Sequence, residues 1–375
     1  MKNILVGLAI CLALEGVVSP LHSQSVFNPD ISVIPRFLFS SDDGGQLPDR
    51  RVFSRPEFTL EEMELGLQAY VNPYARGDIF LSFAGIDQPE FGIEEAYVTF
   101  LKGLPLDMNV RLGKYRAEFG KLNMLHPHAR PFVGNPLMQE RFLGEEGLND
   151  LGVSVSFLIP TGDLYTRLSV DMLSGRSIAV LDPGMEAGGG GPGLVDTTGG
   201  ARSWAQAGRA MTFVPLSENS DMEIGLSALT GIHDPYGKLR FWYWNIDFKY
   251  KWKPSDFTSL TVWGEGILNT RRVDDGLGGT QAVKSSGLFV FADYQFLKTF
   301  SVGARVDWSE SPYRADDRAS AVAVFAGYYP VEESLAFRLQ YERTRYLPAG
   351  AASSTVNALA LQVMFSLGPH RAHTF

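Results

Sequence analysis

Residues 242–252 read Trp-Tyr-Trp-Asn-Ile-Asp-Phe-Lys-Tyr-Lys-Trp, and every second side chain from Trp242 to Trp252 is large and apolar. The opposite positions Asn245, Asp247, Lys249 and Lys251 are polar or charged. Because successive side chains of a strand point to opposite faces, the stretch predicts a β-strand with one apolar and one polar face. A tilted strand of about 9–11 residues crosses a bilayer, and aromatic residues favour both membrane–water interfaces. The pattern is typical of a barrel strand with lipid on one side and water on the other.

The same alternation recurs along the chain and predicts sixteen strands, an even number as in bacterial single-chain barrels. Short turns, such as Asn72-Pro73 and Pro160 to Asp163, alternate with longer polar or Gly-rich loops, such as Ser174 to Trp204. This asymmetry is typical of an outer-membrane barrel with both termini in the periplasm. The predicted fold is therefore all-β, a sixteen-stranded antiparallel transmembrane β-barrel. The predicted strands lie at residues 31–39, 62–71, 78–83, 95–100, 106–112, 153–157, 164–172, 206–214, 222–228, 242–252, 260–265, 288–296, 300–308, 322–328, 335–342 and 359–367.

Two of these strands have a less clear inner face. Arg209 makes the register of the eighth strand ambiguous, and residues 322–328 are apolar on both sides.

The N-terminus of the 375-residue chain resembles an export signal, with Lys2 before an apolar run from Ile4 to Val18. We expect residues 1–23 to be a signal peptide, cleaved after Ser23 or Gln24. Residues 24–375 would then form the barrel, with 368–375 as a short periplasmic tail. The single cysteine, Cys11, would leave with the signal, which excludes disulfides and thiol catalysis. A net charge of -9 without a basic block argues against nucleic acid as a partner.

The alternation stops once for a long irregular stretch in the first half of the barrel. The strand from Leu106 to Leu112 runs into Gly113-Lys114-Tyr115-Arg116-Ala117-Glu118-Phe119-Gly120, and the irregular segment Lys121 to Asn149 follows before the next strand. Counted from the N-terminus, this segment is the third loop on the long-loop side of the predicted barrel.

The strand rhythm of the mature chain, together with residues 111–120, resembles the sixteen-stranded outer-membrane porins and, among them, the phosphate-selective porin O and P group. The shared motif is a strand ending in Gly-Lys/Arg-aromatic followed by Phe-Gly, here Gly113-Lys114-Tyr115 and Phe119-Gly120. In porins the third outside loop folds into the barrel and narrows it, so the resemblance implies this role for Lys121 to Asn149. It also implies the bacterial outer membrane as the location, and a homotrimer, since many such porins are trimers.

Charged side chains of both signs are predicted to line the pore wall, and Glu62 and Glu64 share the inner face of the second strand. Acids outnumber bases there, which argues against phosphate selectivity and favours cations. The predicted pore-wall residues are Arg76, Asp78, Glu95, Asp107, Arg111, Arg167, Asp171, Asp247, Lys249, Glu265, Asp293, Arg305, Asp307, Arg338 and Glu342.

The predicted constriction also carries both signs. Acids facing bases across a narrow pore create a transverse field that sorts small solutes by charge and dipole. Ordinary salt bridges of a loop are the alternative. The candidate residues are Lys114, Arg116, Glu118, Arg130, Glu140, Arg141, Glu145 and Glu146.

Four histidines form two pairs, His126 with His128 in the third loop and His370 with His373 in the tail. Neutral imidazole binds zinc and copper, so a tail that meets the loop inside the barrel would form a metal site. Packing of these side chains against glutamate or aromatic neighbours is the alternative. Apart from zinc or another divalent metal, no cofactor is expected.

These patterns favour passive diffusion of small hydrophilic solutes or ions through a water-filled pore. The alternatives are a substrate-selective or metal-linked outer-membrane transporter or receptor, and a barrel with a closed lumen. An enzyme is not expected, since the Gly-x-Ser-x-Gly and His-Glu-x-x-His motifs are absent. The expected partners are outer-membrane lipid and small polar solutes or ions.

Overall fold

The computed structural model describes residues 29–44, 56–85, 90–162, 164–179, 204–234, 238–274, 278–314, 316–331 and 334–369. The predicted signal peptide and the tail beyond Pro369 lie outside these residues. All sixteen predicted strands are present, and each pairs antiparallel with its neighbours along the chain. The first strand also pairs with the last, with Arg36 opposite Met364, so the sheet closes into a barrel.

The strands are β1 Asp30–Asp42, β2 Glu57–Asn72, β3 Ala75–Ala84, β4 Glu90–Phe100, β5 Asn109–Arg116, β6 Asn149–Thr161, β7 Leu164–Leu173, β8 Ala205–Ser217, β9 Ser220–Asp234, β10 Leu239–Ser255, β11 Thr258–Asp274, β12 Thr280–Phe296, β13 Phe300–Glu310, β14 Arg318–Val331, β15 Leu335–Leu347 and β16 Ser354–Phe365. The short helices are α1 Leu137–Leu143 and α2 Arg176–Ala179, with 3-10 turns at Pro105–Asp107, Leu122–Met124 and Pro127–Ala129.

The outer face of the barrel is apolar, as the alternation predicts. On β10, Trp244 is 50% exposed and Ile246 60% exposed, whereas Asp247 on the opposite face is fully buried. A closed barrel satisfies its backbone hydrogen bonds between strands, which allows such a surface to face lipid. None of the helices among the described residues is both long and apolar enough to span a membrane.

The start of the fifth strand differs from the prediction. Residues 105–107 form a 3-10 turn, and Leu106 and Asp107 have φ values of 56° and 49°. The N–H of Met108 donates to the carbonyl of Pro105 at 3.2 Å, so the turn extends to Met108 and β5 begins at Asn109. Asp107 is exposed in this turn, and its assignment to the pore wall is wrong.

The assignment of Lys114 to the constriction is also wrong. This lysine lies opposite Leu151, which is 46% exposed on the outer surface, and its Nζ donates to the carbonyl of Ile93 at 2.5 Å. On β5, Lys114 lies two residues after the exposed Leu112, so both side chains point to the same face of the strand. Lys114 therefore points outward and takes no part in a constriction.

The segment between β5 and β6, Ala117–Leu148, is here called loop 3, and it packs inside the barrel. Its aromatic side chains Phe119, Phe132 and Phe142 are each at most 2% exposed. The ring of Phe132 contacts the inward ring of Phe291 at a centroid distance of 5.1 Å, and Phe142 contacts Tyr243 at 5.6 Å. Burial of a large aromatic side chain contributes roughly 1.5–3 kcal/mol. Loop 3 is thus held to the β10–β12 wall by a hydrophobic core within the lumen.

Polar contacts fix the start of loop 3 on the same wall. Glu265 on β11 accepts hydrogen bonds from the backbone N–H groups of Lys121 at 3.0 Å and Leu122 at 2.6 Å. The ammonium of Lys121 forms an ion pair of 2.5 Å with Glu223 on β9. These contacts join residues more than 100 positions apart in the chain.

The glycine of the Gly113-Lys114-Tyr115 motif is required by a close approach of two strands. A Cβ at Gly113 would lie 2.2 Å from the carbonyl oxygen of Ala96, and the residue has φ +136°. We expect Gly113→Ala to destabilise the barrel by about 1–3 kcal/mol through overpacking, measured by denaturant unfolding with tryptophan fluorescence. Gly208→Ala is the control, because its Cβ would meet only the carbonyl of Ser169 at 3.8 Å. Equal unfolding midpoints for the two variants would contradict this explanation.

Replacement of Glu265 should loosen the start of loop 3. Glu265→Ala removes the acceptor of two buried N–H groups, and each unsatisfied group costs about 1–3 kcal/mol. We expect amide hydrogen exchange at Lys121 and Leu122 to accelerate at least about tenfold, since about 1.4 kcal/mol corresponds to a factor of ten. Glu265→Gln keeps an acceptor oxygen and should retain most of the protection. Unchanged exchange in Glu265→Ala would show that the aromatic packing alone holds the loop.

Candidate functional site

A β-bulge between β1 and β2 places two consecutive glutamates beside one arginine. Arg36 lies opposite Glu62 and Phe37 opposite Leu60, which makes Glu61 the extra residue. A bulge sets two residues against one and redirects a side chain. As a result, the Arg36 guanidinium reaches Glu62 at 2.5 Å and Glu61 at 3.8 Å.

A second bulge, between β3 and β4, has the same effect. Phe80 lies opposite Glu95 and Leu81 opposite Ile93, so Glu94 is the extra residue. Both Glu94 and Glu95 are 4% exposed. Strict alternation would send one of the two outward, and the bulge brings both into the lumen.

Arg116, where β5 ends and loop 3 begins, lies over this second pair. Its Nη2 donates to Glu94 Oε1 at 2.5 Å, and its Nε lies 3.7 Å from Glu95 Oε1. Its Nη1 donates to the backbone carbonyl of Glu146 at 2.6 Å, while the Glu146 side chain is 75% exposed. The main ion pair of Arg116 is therefore with the barrel wall rather than with an acid of loop 3.

The two histidines of loop 3 complete the group. His126 Nδ1 lies 2.8 Å from Glu64 Oε2 and 3.4 Å from Glu94 Oε1, and His126 Nε2 lies 3.1 Å from Glu95 Oε1. His128 Nδ1 lies 3.3 Å from the same Glu64 oxygen. Burial alone would lower the pKa of His126, but the charges of Glu64 and Glu94 outweigh it and hold the pKa well above its ordinary value. We call Glu62, Glu64, Glu94, Glu95, His126 and His128 the acid–histidine cluster.

The acid–histidine cluster has donor atoms suited to a cation. One nitrogen of each of His126 and His128 and an oxygen of Glu64 lie within 4.8 Å of one another. The sequence prediction paired these histidines with His370 and His373 of the tail, which lie outside the described residues. In the structure the third group beside them is Glu64 on β2.

Two cavities lie beside loop 3 inside the barrel. The larger has a volume of about 1080 Å³ and extends from His128 and Arg130 of loop 3, past Lys249 and Lys251 on β10, to the short turns. The smaller, of about 180 Å³, is lined by the inner faces of β3 to β7. Both cavities are therefore bounded by loop 3 on one side and by charged strands on the other.

The predicted constriction residues other than Lys114 make most of their described contacts with the wall or the loop backbone. Glu118 pairs with Arg167 on β7 at 2.5 Å, and Arg141 pairs with Asp317 next to β14. Arg130 is 2% exposed and donates to the carbonyl of Leu125 at 3.2 Å. Glu140 is half-buried, whereas Glu145 and Glu146 are exposed. Their role in a transverse field stays a prediction.

The predicted pore-wall residues other than Asp107 lie on the inner face, and several are neutralised there. Arg305 donates to Asp307 and to Glu342, each at 2.8 Å. Asp247 accepts a hydrogen bond from Arg209 at 2.8 Å. The inner-face positions are Arg76, Asp78, Glu95, Arg111, Arg167, Asp171, Asp247, Lys249, Glu265, Asp293, Arg305, Asp307, Arg338 and Glu342.

Sequence reasoning missed several residues that the site uses, among them Arg36 and Glu61 at the first bulge. Arg209 left its strand's register ambiguous, although an inward arginine opposite an acid-rich wall explains the pattern. Glu94 was missed because a bulge breaks the alternation, and the pair Glu94-Glu95 was the only signal. Lys121, which pairs with Glu223, lies in a loop whose contacts no local pattern specifies.

Comparison with known proteins supports the fold. No family model matches the chain. Over 184 residues it is 36% identical to an uncharacterized protein of Aquifex aeolicus (strain VF5), a match that covers 43% of this chain and 36% of that protein. The chain thus spans just over a third of the length of this curated relative.

Several solved structures share the architecture. One is the outer membrane channel DcaP of Acinetobacter baumannii, with a TM-score of 0.59 and 14% sequence identity, covering 90% of this chain and 97% of that chain. Another is the anion-selective porin from Comamonas acidovorans, with a TM-score of 0.56 and 11% identity, covering 90% of this chain and 99% of that chain. The trimer form of the outer membrane protein OmpT of Vibrio cholerae also matches, with a TM-score of 0.52 and 10% identity, covering 90% of this chain and 99% of that chain. At these identities the likeness concerns the fold alone. The resemblance to sixteen-stranded outer-membrane porins is confirmed for the fold: the chain forms a closed sixteen-stranded antiparallel barrel of the kind found in these bacterial porins.

Proposed function

We propose that the barrel is a channel for passive diffusion of small hydrophilic solutes or ions across the outer membrane. The observation that carries this proposal is the cavity of about 1080 Å³ within a charged inner wall, which reaches the short-turn end of the barrel. A water-filled pore needs a polar lining that solvates the solute, together with an outer surface that lipid accepts. Loop 3 occupies part of the cross-section and so sets the bore.

We further infer that the pore favours small anions over cations, although the count of inward charges in the sequence favoured cations. Many of the inward carboxylates accept hydrogen bonds from arginines. Arg209 donates to Asp247, and Arg305 donates to both Asp307 and Glu342. In contrast, the side chains around the larger cavity are more often basic than acidic. The basic residues are Arg130, Lys249, Lys251, Lys253, Lys298 and Arg338, and the acidic residues are Glu218, Asp221, Asp256 and Asp293.

A homotrimer is the assembly we propose. Support comes from the trimer form of the similarly folded OmpT of Vibrio cholerae. A substrate-selective or metal-linked transporter is the second candidate, favoured by the acid–histidine cluster next to the larger cavity.

Conductance in planar lipid bilayers tests the channel and its assembly together. We expect the purified protein to insert and carry a steady ohmic current, because diffusion through a water-filled pore needs no energy source. A trimer of separate pores should close in three equal current steps. A silent barrel, with insertion confirmed by protease protection in liposomes, would contradict the diffusion function and favour a closed or gated lumen.

The reversal potential in a KCl gradient tests the charge preference. In water, one charge about 8 Å from an ion changes its energy by about 0.5 kcal/mol, and the sign is opposite for an anion and a cation. Removing both charges with Lys249→Gln and Lys251→Gln changes each permeability roughly fivefold in opposite directions and should lower the anion-to-cation ratio roughly thirtyfold at low salt. Lys114→Gln is the matched control, because this lysine points away from the lumen. An unchanged ratio in the double variant would refute the assignment of selectivity to this cavity.

A further inference from the structure

We propose that Glu64, His126 and His128 bind one divalent transition-metal ion of the zinc class, at the contact between loop 3 and the β2 wall. The main observation is that both imidazoles direct Nδ1 toward the same carboxylate oxygen, Glu64 Oε2. The distance is 2.8 Å from His126 and 3.3 Å from His128. This arrangement brings together residues from one strand and one loop that are more than 60 positions apart. The site does not depend on whether the barrel conducts.

The donor set suits zinc in both type and spacing. Two imidazole nitrogens and one carboxylate oxygen are a known zinc ligand set that leaves a fourth position open. Zinc–ligand bonds of about 2.0–2.1 Å in a tetrahedron place the donor atoms about 3.3 Å apart. The donor atoms of Glu64, His126 and His128 lie within 4.8 Å of one another, so small side-chain rotations suffice. Glu94 Oε1 lies 3.4 Å from His126 Nδ1 and is one protein group that could take the fourth position.

Two buried carboxylate oxygens at this place lack a hydrogen-bond partner among the described residues. They are Glu64 Oε1 and Glu94 Oε2, on side chains that are 3% and 4% exposed. Buried polar atoms are nearly always satisfied, and an unsatisfied one points to a strained, catalytic or ion-binding role. The other oxygens of the same carboxylates, Glu64 Oε2 and Glu94 Oε1, face His126, so a cation held by both oxygens of a carboxylate would also engage these two atoms.

The charge balance also favours a cation. Arg36 engages Glu62 and Arg116 engages Glu94, whereas the ion pairs seen for Glu64 are both with imidazoles. Five glutamates converge on these two arginines and two histidines, so carboxylates outnumber guanidinium groups when the imidazoles are neutral, the form that binds a metal. The five are Glu61, Glu62, Glu64, Glu94 and Glu95.

A direct metal titration tests the proposal. The full-length barrel, purified in detergent and stripped with a chelator, is titrated with Zn²⁺ by calorimetry and with Co²⁺ by visible absorption. We expect one ion per chain, and cobalt d–d bands of four- or five-coordinate geometry. Glu64→Gln and His126→Gln should each weaken Zn²⁺ binding more than about tenfold, since even outer partners of metal ligands contribute 10–100-fold.

Two controls separate this site from other sources of binding. Asp293→Asn removes a carboxylate that faces the larger cavity outside the acid–histidine cluster and should leave the affinity unchanged. The double variant His370→Ala, His373→Ala should also bind like the wild type. A difference in migration between unheated and heated samples in SDS gels, the same as for the wild type, verifies that each variant forms a barrel.

Three results would overturn the proposal. They are a wild-type protein that binds neither ion, a folded Glu64→Gln barrel with wild-type affinity, and loss of binding only in the tail variant. If Glu64→Gln does not fold, His126→Gln and the cobalt spectrum of the wild type still decide, because cobalt held only by carboxylates and water gives the weak absorption of an octahedral ion.

Discussion

The closure of the sheet is the constraint on which the rest of this structure depends. Inside a bilayer no water is available to bond backbone N–H and C=O groups, so every strand needs two neighbours. The pairing of β1 with β16, from Arg36 opposite Met364 to Asp42 opposite Ala358, supplies the last neighbour. In a closed barrel the outer face must match lipid, so the charged and polar side chains of the strands point into the lumen. The charged networks and the aromatic core of loop 3 are therefore both found within the lumen.

The strand count was predictable for a physical reason. Lipid on one face and polar contacts on the other impose a period of two on every strand, and this period survives even where a single side chain is unusual. Arg209 made β8 ambiguous, yet it lies on the polar face beside Asp247. The apolar inner face of β14, which alternation alone could not explain, packs against loop 3. The ring centroids of Phe325 and Phe132 lie 6.0 Å apart, and Ala321 belongs to a hydrophobic cluster with Leu137.

The site was predictable only in part, because its geometry comes from departures from that period. The left-handed turn at Leu106 removed Asp107 from the wall. The bulge at Glu94 added an inward acid that strict alternation could not provide. The histidines of loop 3 were visible in the sequence, but their partner Glu64 lies 62 residues away from His126 on another strand. Local pattern fixes which face a residue occupies, whereas the partner of a loop residue depends on how the loop crosses the barrel.

Loop 3 connects the proposed metal site to the proposed solute path through a few residues. His128 contributes to the acid–histidine cluster through Nδ1 and also borders the larger cavity, and its carbonyl accepts a hydrogen bond of 2.7 Å from Arg338 on β15. Arg130, two residues later, borders the same cavity. His128 is therefore shared between the proposed metal site and the wall of the larger cavity. The two bulges gather glutamates beside His126, so this part of the cavity lining contacts a wall whose shape depends on irregularities in β1 to β4.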